Sequence, residues 1–117
     1  MSEPYNRKMI SVAKQAASEN NIKIHQGVYV ALQGPTFETP AEYGMIKAIG
    51  GDMVGMSTVP EVIVAKHMGM DVFGISVITD LGGPDIAHSV SHEEVLNAAN
   101  KAMPNVIVVV KGLVKNY

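Results

Sequence analysis

Two acidic residues lie at positions where their carboxylates could bind a small molecule. Glu38 follows Phe37 in a loop after an apolar run, and Asp80 directly follows a second apolar run. Each residue also has a simpler explanation. A carboxylate in the first turn of a helix is favoured by the helix dipole, and aspartate is a common turn residue. The sequence leaves both interpretations open for each of them.

Further groups suited to a ligand follow a third apolar segment, at residues 55–58. Gly55 permits close approach of a backbone, Met56 offers a polarizable surface, and Ser57 lies where the amides at a helix start could meet an anion. The alternative is a plain strand-to-helix turn capped by Thr58. Taken with Glu38, these residues have the composition of a small-molecule pocket.

The four histidines form no convincing metal pattern. His88 and His92 are four residues apart, but a loop precedes Ser91, so the two need not share a helical face. Their surroundings also lack the HExxH arrangement, which places two zinc ligands on one helical face. His25 and His67 are interpreted as ordinary surface or partly buried residues. We therefore expect no metal site, and we interpret His92 either as a solvated helix end or as a donor aimed into a cleft.

Three patterns in the chain match the helix capping box, in which Ser or Thr and a following Glu bond each other's backbone N–H groups. They are Thr39 with Glu42, Thr58 with Glu61, and Ser91 with Glu94. We expect these three glutamates to serve the scaffold and not the chemistry.

Helix-like and strand-like patterns alternate along the chain. Helices are predicted over residues 2–20, 39–50, 58–69 and 91–117. Pro104 should kink or split the last of these helices, and the valines that follow Pro104 are also compatible with a strand. Strands are predicted over residues 28–32, 52–54 and 71–79. The first of them is nearly all apolar, which predicts a parallel strand covered on both faces. The loop at 82–84 is predicted to be mobile. This order is typical of the α/β class, with a parallel or mixed sheet flanked by helices.

Ligands of such sheets bind beyond the carboxyl ends of the strands. We therefore expect the segments 33–39, 55–58 and 79–80 to converge. The pocket residues proposed above all lie in these segments.

Composition narrows the functional classes. The 117 residues suit a single domain, 1–117, and nine Lys and Arg against eleven Asp and Glu leave no basic stripe for nucleic acid. The chain has no Cys, which excludes a disulfide framework or a thiolate nucleophile and fits a reducing cytoplasm. The acidic, polar residues 1–4 do not resemble a signal peptide, and the aliphatic run 106–110 is far too short to span a bilayer.

Four ordered blocks of sequence resemble one known family. They are YVALQGPTFET at 29–39, VGMSTVPE at 54–61, FGISVIT at 73–79 and SHEEV at 91–95. They are similar to the trimeric purine nucleoside phosphorylases, within the nucleoside phosphorylase family that includes the methylthioadenosine phosphorylases. The resemblance covers nearly the whole chain but only the carboxyl-terminal part of the family's domain.

The resemblance implies reversible phosphorolysis of purine nucleosides, with inorganic phosphate as co-substrate, no cofactor and a homotrimer. It implies that Glu38 accepts hydrogen bonds from the purine, Phe37 packs on the base and Met56 lines the ribose. It places Ser57 on phosphate and Tyr29 and His92 near the ribose hydroxyls. It also implies that Val54 and Thr79 form the remaining wall of the pocket.

Asp80 departs from the family pattern, because relatives that act on 6-oxopurines commonly carry Asn there. An ionised Asp only accepts hydrogen bonds and would repel the purine O6, whereas a protonated one could act as a general acid toward N7. We expect widened specificity that admits adenosine beside inosine and guanosine.

The same resemblance places a Gly-rich phosphate loop, a phosphate-binding Arg and His, and an aromatic residue from a neighbouring subunit outside this chain. The chain alone is therefore expected to be inactive. Two alternatives remain: a methylthioadenosine phosphorylase-like enzyme, and a non-catalytic nucleoside-binding or interaction fragment.

Overall fold

The computed structural model describes residues 1–83 and 91–117. Its first helix, α1 (Arg7–Glu19), is capped by Asn6, whose side chain accepts hydrogen bonds from the backbone N–H groups of Lys8 and Met9. The predicted start at residue 2 is therefore wrong, because Asn6 satisfies the free donors of the first turn.

The chain's last helix packs closely against α1. This helix, His92–Asn116, is the fourth among the described residues and is called α4. Ala13 and Ala17 of α1 are buried against Val109 of α4. A Cβ on Gly112 would collide with Ala16, so small residues on both helices permit the close approach.

The structure also corrects the prediction for α4 itself. It is one helix of 25 residues that includes Pro104, so neither the split nor the strand after Pro104 is found. Val109 and Leu113 are both buried, and their spacing of four places them on one helical face. Packing of that face explains why the valine-rich segment remains helical.

Two short parallel strands form the sheet within the described residues. Strand β1 (Tyr29–Ala31) pairs with β2 (Met53–Gly55), with Val30 opposite Val54. Helix α2 (Pro40–Ala48) connects them, as a parallel crossover requires. The predicted α/β class is confirmed. The prediction that the first strand is covered on both faces is wrong, since its residues are half-buried and the adjoining Val28 is 53% exposed.

Helix α3 (Val59–His67) follows β2, and it ends where Gly69 adopts a φ of 75°. Glycine takes that left-handed backbone without a steric penalty, as is common just after a helix; the helix itself ends at His67, two residues before the predicted end at residue 69.

Residues 71–79, predicted as a third strand, carry no strand in the structure. A strand requires a ladder partner, and no described segment supplies one. The segment is instead held near its start, where Asn6 donates its backbone N–H to the Val72 carbonyl over 2.8 Å. Of the predicted mobile loop, Pro84 lies outside the described residues. Within 1–83 and 91–117, no helix is long and apolar enough to cross a membrane.

Candidate functional site

The loop after β1 lies against the loop after β2. Gly34 has a φ of 69°, and a Cβ there would collide with the Met56 side chain. Glycine is thus required at this position both by the backbone conformation and by the contact. Of the three segments predicted to converge, 33–39 and 55–58 are therefore in contact.

The Tyr29 side chain extends from β1 toward the same end of the sheet. Its ring lies over Gly55, where a Cβ would collide with the hydroxyl group. The Tyr29 hydroxyl oxygen accepts a hydrogen bond from the Ser57 backbone N–H over 3.4 Å. Tyr29 and Ser57 thereby become neighbours although 28 residues separate them in sequence.

Thr58 is in a strained turn between β2 and α3. Its backbone has φ 73° and ψ −59°, and the N–H of Val59 donates to the Ser57 carbonyl over 2.8 Å. These features define a γ-turn of the rare, strained kind. A β-branched residue at positive φ is a backbone outlier, and such strain tends to cluster at functional sites.

This turn explains why the second predicted capping box is wrong. The Thr58 side chain makes no hydrogen bond to the amides of α3, and its hydroxyl oxygen lies 3.3 Å from that of Ser57. Glu61 is therefore not part of a reciprocal box. Two adjacent hydroxyl groups instead precede the start of α3, where the helix dipole favours an anion.

The other two capping boxes are confirmed. In the first, Thr39 donates to Glu42 from its backbone N–H over 2.7 Å, and the Glu42 N–H donates to the Thr39 hydroxyl over 3.3 Å. The hydrogen bonds from Thr39, that of its backbone N–H first, lower the pKa of Glu42. Ser91 and Glu94 make the same pair of contacts at the start of α4.

Glu38 lies beside a tyrosine that sequence reasoning missed. The Tyr43 hydroxyl donates to Glu38 Oε2 over 3.4 Å, and burial, followed by the charges of Glu38 and Asp80, raises the pKa of Tyr43. The Tyr43 ring also fills the space beside Gly82, where a Cβ would collide with it. Its position five residues after Glu38, within the first turns of α2, was the available sequence signal.

Asp80 is oriented by its neighbour. The Thr79 hydroxyl donates to Asp80 Oδ1 over 2.8 Å, and both residues are half-buried. Gly82, two residues after Asp80, lies against the Tyr43 ring, so this part of the chain is on the Glu38 side of the loop 33–39. The loop 33–39 thus contacts Met56 at Gly34, and it carries Glu38 at its other end, on the side where Tyr43 lies.

The remaining predicted site residues are less closely tied to this arrangement. Phe37 and Met56 are exposed, and Val54 is half-buried in β2. His92 is exposed at the start of α4, and no contact among the described residues joins it to the others.

Metal ligands are sparse in the part of the chain that the structure describes. No group of three or more His, Asp or Glu residues there could hold a metal ion. His88, one of the two histidines considered for such a site, lies outside the described residues.

The arrangement offers two kinds of chemistry around one loop. Glu38 and Asp80 provide carboxylates that can accept hydrogen bonds from the polar edge of a ligand, or donate when protonated. The hydroxyl groups of Ser57 and Thr58 precede a helix start that favours an anion. Met56 provides an apolar surface beside them. Such a site suits a ligand with a planar polar group at one end and an anionic partner at the other.

Comparison with known proteins identifies the family. The sequence profile described as "Phosphorylase superfamily" matches residues 1–115. Purine nucleoside phosphorylase 1 of Geobacillus stearothermophilus is 45% identical over 116 residues, which are 99% of this chain and 42% of that protein.

Solved structures agree with the sequence comparison. The Schistosoma mansoni purine nucleoside phosphorylase in complex with adenosine matches with a TM-score of 0.93 and 38% identity, over 98% of this chain and 43% of that one. A Schistosoma purine nucleoside phosphorylase in complex with guanosine matches with a TM-score of 0.92 at the same identity and coverage. The chain therefore spans less than half the length of these relatives. The resemblance inferred from the four sequence blocks is confirmed, and the chain belongs to the phosphorylase superfamily.

Proposed function

We propose that this chain supplies the purine-binding part of a purine nucleoside phosphorylase. The observation that carries the proposal is the position of loop 33–39, which contacts Met56 through Gly34 and Tyr43 through Glu38. One loop thereby connects the apolar and hydroxyl-bearing side of the site with its carboxylates. Relatives of the same fold carry this activity in their names.

The proposed reaction breaks the bond between C1′ of the pentose and N9 of the purine, and a phosphate oxygen forms the new bond to C1′. Positive charge develops on the pentose and negative charge on the departing base, so the site must stabilise both ends. Glu38 accepts hydrogen bonds from the purine and Phe37 packs on the base. Ser57 donates to phosphate beside the start of α3.

The sugar and the wall of the pocket involve other residues. Met56 lines the ribose, and Tyr29 and His92 approach its hydroxyl groups. The Tyr29 hydroxyl is suited to this role because it already lies 3.4 Å from the Ser57 nitrogen. Val54 and Thr79 complete the wall.

Asp80 is proposed to handle the proton at purine N7. In its protonated form it donates that proton as the glycosidic bond breaks, and in its ionised form it accepts from N7–H and from a 6-amino group. The Thr79 hydroxyl donates to Oδ1, and we propose that Oδ2 meets the base. We therefore propose a substrate range that includes adenosine with inosine and guanosine. The Schistosoma relatives, solved with adenosine and with guanosine, support such breadth.

Phosphate binding must draw on groups outside these 117 residues. The only arginine, Arg7, forms an exposed ion pair with Glu3 at the start of α1. By resemblance, the Gly-rich loop and the phosphate-binding Arg and His lie in the part of the domain that the chain does not span. We propose that the chain alone binds purine nucleosides without cleaving them, and that the complete enzyme is a cytoplasmic homotrimer in purine salvage.

Calorimetric titration of the chain with inosine, guanosine and adenosine tests the purine site. A phosphorolysis assay on the same sample tests turnover. We expect binding without release of free purine, and Glu38→Gln should weaken binding about tenfold, because it replaces a charged acceptor. Glu19→Gln, at the exposed last position of α1, is the matched control and should leave affinity unchanged. A chain that binds none of the three nucleosides would overturn the proposal.

A further inference from the structure

Tyr43, near the start of α2, contacts both segments that carry the carboxylates of the proposed purine site. Its hydroxyl donates to Glu38 Oε2 over 3.4 Å. Its ring lies against Gly82, where a Cβ would collide with two ring carbons. Gly82 follows Asp80 by two residues. One side chain thus bridges the loop 33–39 and the chain that follows Asp80.

The start of α2 fixes this tyrosine relative to Glu38. Thr39, which lies between Glu38 and the helix, caps α2, and its carbonyl accepts the Tyr43 N–H over 3.1 Å. Ile46 is buried and anchors the same helix. The Glu42 carboxylate accepts from both the N–H and the hydroxyl of Thr39, each over 2.7 Å, so it faces the cap. The Tyr43 hydroxyl is directed instead to Glu38.

The Tyr43 hydroxyl remains a donor to the Glu38 carboxylate at neutral pH. Burial, followed by the negative charges of Glu38 and Asp80, raises the pKa of Tyr43, so its hydroxyl keeps its proton. A side chain that receives a hydrogen bond from a fixed donor loses rotational freedom, and an ionised carboxylate acts only as an acceptor. Tyr43 therefore holds Glu38 in one orientation while Glu38 accepts.

Purines differ at the atom that such an acceptor would meet. In inosine and guanosine the six-membered ring carries a hydrogen on N1, whereas N1 of adenosine has a lone pair and no hydrogen. An ionised carboxylate can accept from the first kind of ring, but opposite the second kind it faces another acceptor. Such a mismatch lowers affinity, because a desolvated polar group is left without a hydrogen-bond partner. A carboxylate held in place as an acceptor thus discriminates between the two classes of purine.

We propose that Tyr43 is a specificity-determining residue of the purine site, which positions the Glu38 carboxylate to accept from the N1–H of 6-oxopurines. It acts through Glu38 and does not touch the base. The two carboxylates then have opposing effects. Glu38, held by Tyr43, favours inosine and guanosine, whereas Asp80 accepts from the 6-amino group of adenosine. The inference rests on the proposed function, since it requires that the chain bind purine nucleosides.

Calorimetric titration with inosine and adenosine tests this role in a double-mutant cycle. Tyr43→Phe removes the hydroxyl and keeps the ring that lies beside Gly82. It should weaken inosine binding about tenfold and adenosine binding less than about twofold, because only inosine offers the N1–H to Glu38. In the Glu38→Gln background, Tyr43→Phe should change inosine affinity less than about twofold, since the hydroxyl acts through the carboxylate.

Tyr5→Phe is the matched control. Tyr5 is also half-buried, and its ring also lies against a glycine, Gly74. The variant makes the same chemical change outside the proposed purine site, so the affinities for inosine and adenosine should both stay unchanged. Far-ultraviolet circular dichroism should show that both phenylalanine variants remain folded, because each keeps its packed ring.

Equal weakening of inosine and adenosine binding by Tyr43→Phe would mean that the tyrosine only supports the fold, and would overturn the inference. Additive losses in the cycle would also overturn it, because the hydroxyl would then not act through Glu38. If the unaltered chain binds neither nucleoside, the proposed function fails and this inference fails with it. If the chain binds both and Tyr43→Phe leaves the ratio of their affinities unaltered, the inference alone is overturned and the proposed function stands.

Discussion

The Tyr43 hydroxyl donates to Glu38 Oε2 over 3.4 Å, which connects the first turns of α2 to the loop that precedes them. Burial and the nearby charges of Glu38 and Asp80 together disfavour a tyrosinate, so the pKa of Tyr43 is raised. Tyr43 therefore remains a hydrogen-bond donor to Glu38 over a wider pH range than an isolated tyrosine would.

The first prediction concerns this contact. The difference in tyrosinate absorbance between the unchanged chain and Tyr43→Phe isolates the titration of Tyr43. Its pKa should lie above the usual tyrosine range, and Glu38→Gln should lower it. A raised pKa in the folded state contributes stability below the unfolded pKa, and that contribution is lost as the pH rises through the folded value. Titration of Tyr43 at or below the usual tyrosine pKa would contradict the described geometry.

A second prediction follows from the γ-turn at Thr58. Glycine adopts positive φ without the steric penalty of a β-branched residue, so Thr58→Gly should raise the free energy of unfolding by about 1 kcal/mol. Thr58→Ala keeps the Cβ and is the control, which should give no such gain. Urea unfolding of the chain measures both. A loss of stability in the glycine variant would mean that the turn is not strained.

The capping boxes provide a third, comparative prediction. The Thr39 side chain caps α2, whereas Thr58 makes no side-chain bond to α3. Thr39→Ala should therefore cost about 1 kcal/mol of stability, and Thr58→Ala much less. The two threonines are equivalent as sequence patterns, so equal losses in thermal or urea unfolding would show that the pattern, and not the observed contact, determines the effect.

These two threonines show which parts of the fold the sequence can predict. The boxes at Thr39 and Ser91 form as predicted because each involves only one turn of helix and its own side chains. At Thr58, the tight passage from β2 into α3 imposes a positive φ that directs the side chain away from the helix. A motif of four residues does not predict that backbone conformation, because it depends on how the strand and the helix are joined.

The third predicted strand failed for a related reason. Residues 71–79 have the composition of a strand, but pairing depends on a partner, and none lies among the described residues. The candidate site shows the same division. Glu38 and Asp80 were identifiable from their position after apolar runs, whereas the role of Tyr43 depends on how α2 turns back beside the loop.

A fourth prediction concerns the end of α4. The Tyr117 hydroxyl donates to Asp71 Oδ2 over 2.7 Å, and this hydrogen bond, with one from Asn6, lowers the pKa of Asp71. A lowered carboxyl pKa in the folded state contributes stability above the unfolded pKa, and that contribution is lost as the pH falls through the folded value. Tyr117→Phe should therefore reduce the acid sensitivity of unfolding. Urea unfolding from neutral pH to pH 3 measures it, and an unchanged slope would contradict the contact.

The last prediction addresses the substrate range through Asp80. Its Oδ1 is engaged by the Thr79 hydroxyl over 2.8 Å, so the character of the other oxygen determines what the purine meets. Asp80→Asn replaces an acceptor with an amide that can donate to a 6-oxo group. Affinity should shift about tenfold from adenosine toward inosine, since a mismatched polar group in a binding site costs roughly 1–3 kcal/mol. Parallel calorimetric titrations with the two nucleosides measure the ratio, and Asp52→Asn, which alters a carboxylate beside β1, provides the control. An unchanged ratio would show that Asp80 does not contact the purine edge, and the proposed breadth of specificity would then have to come from Glu38.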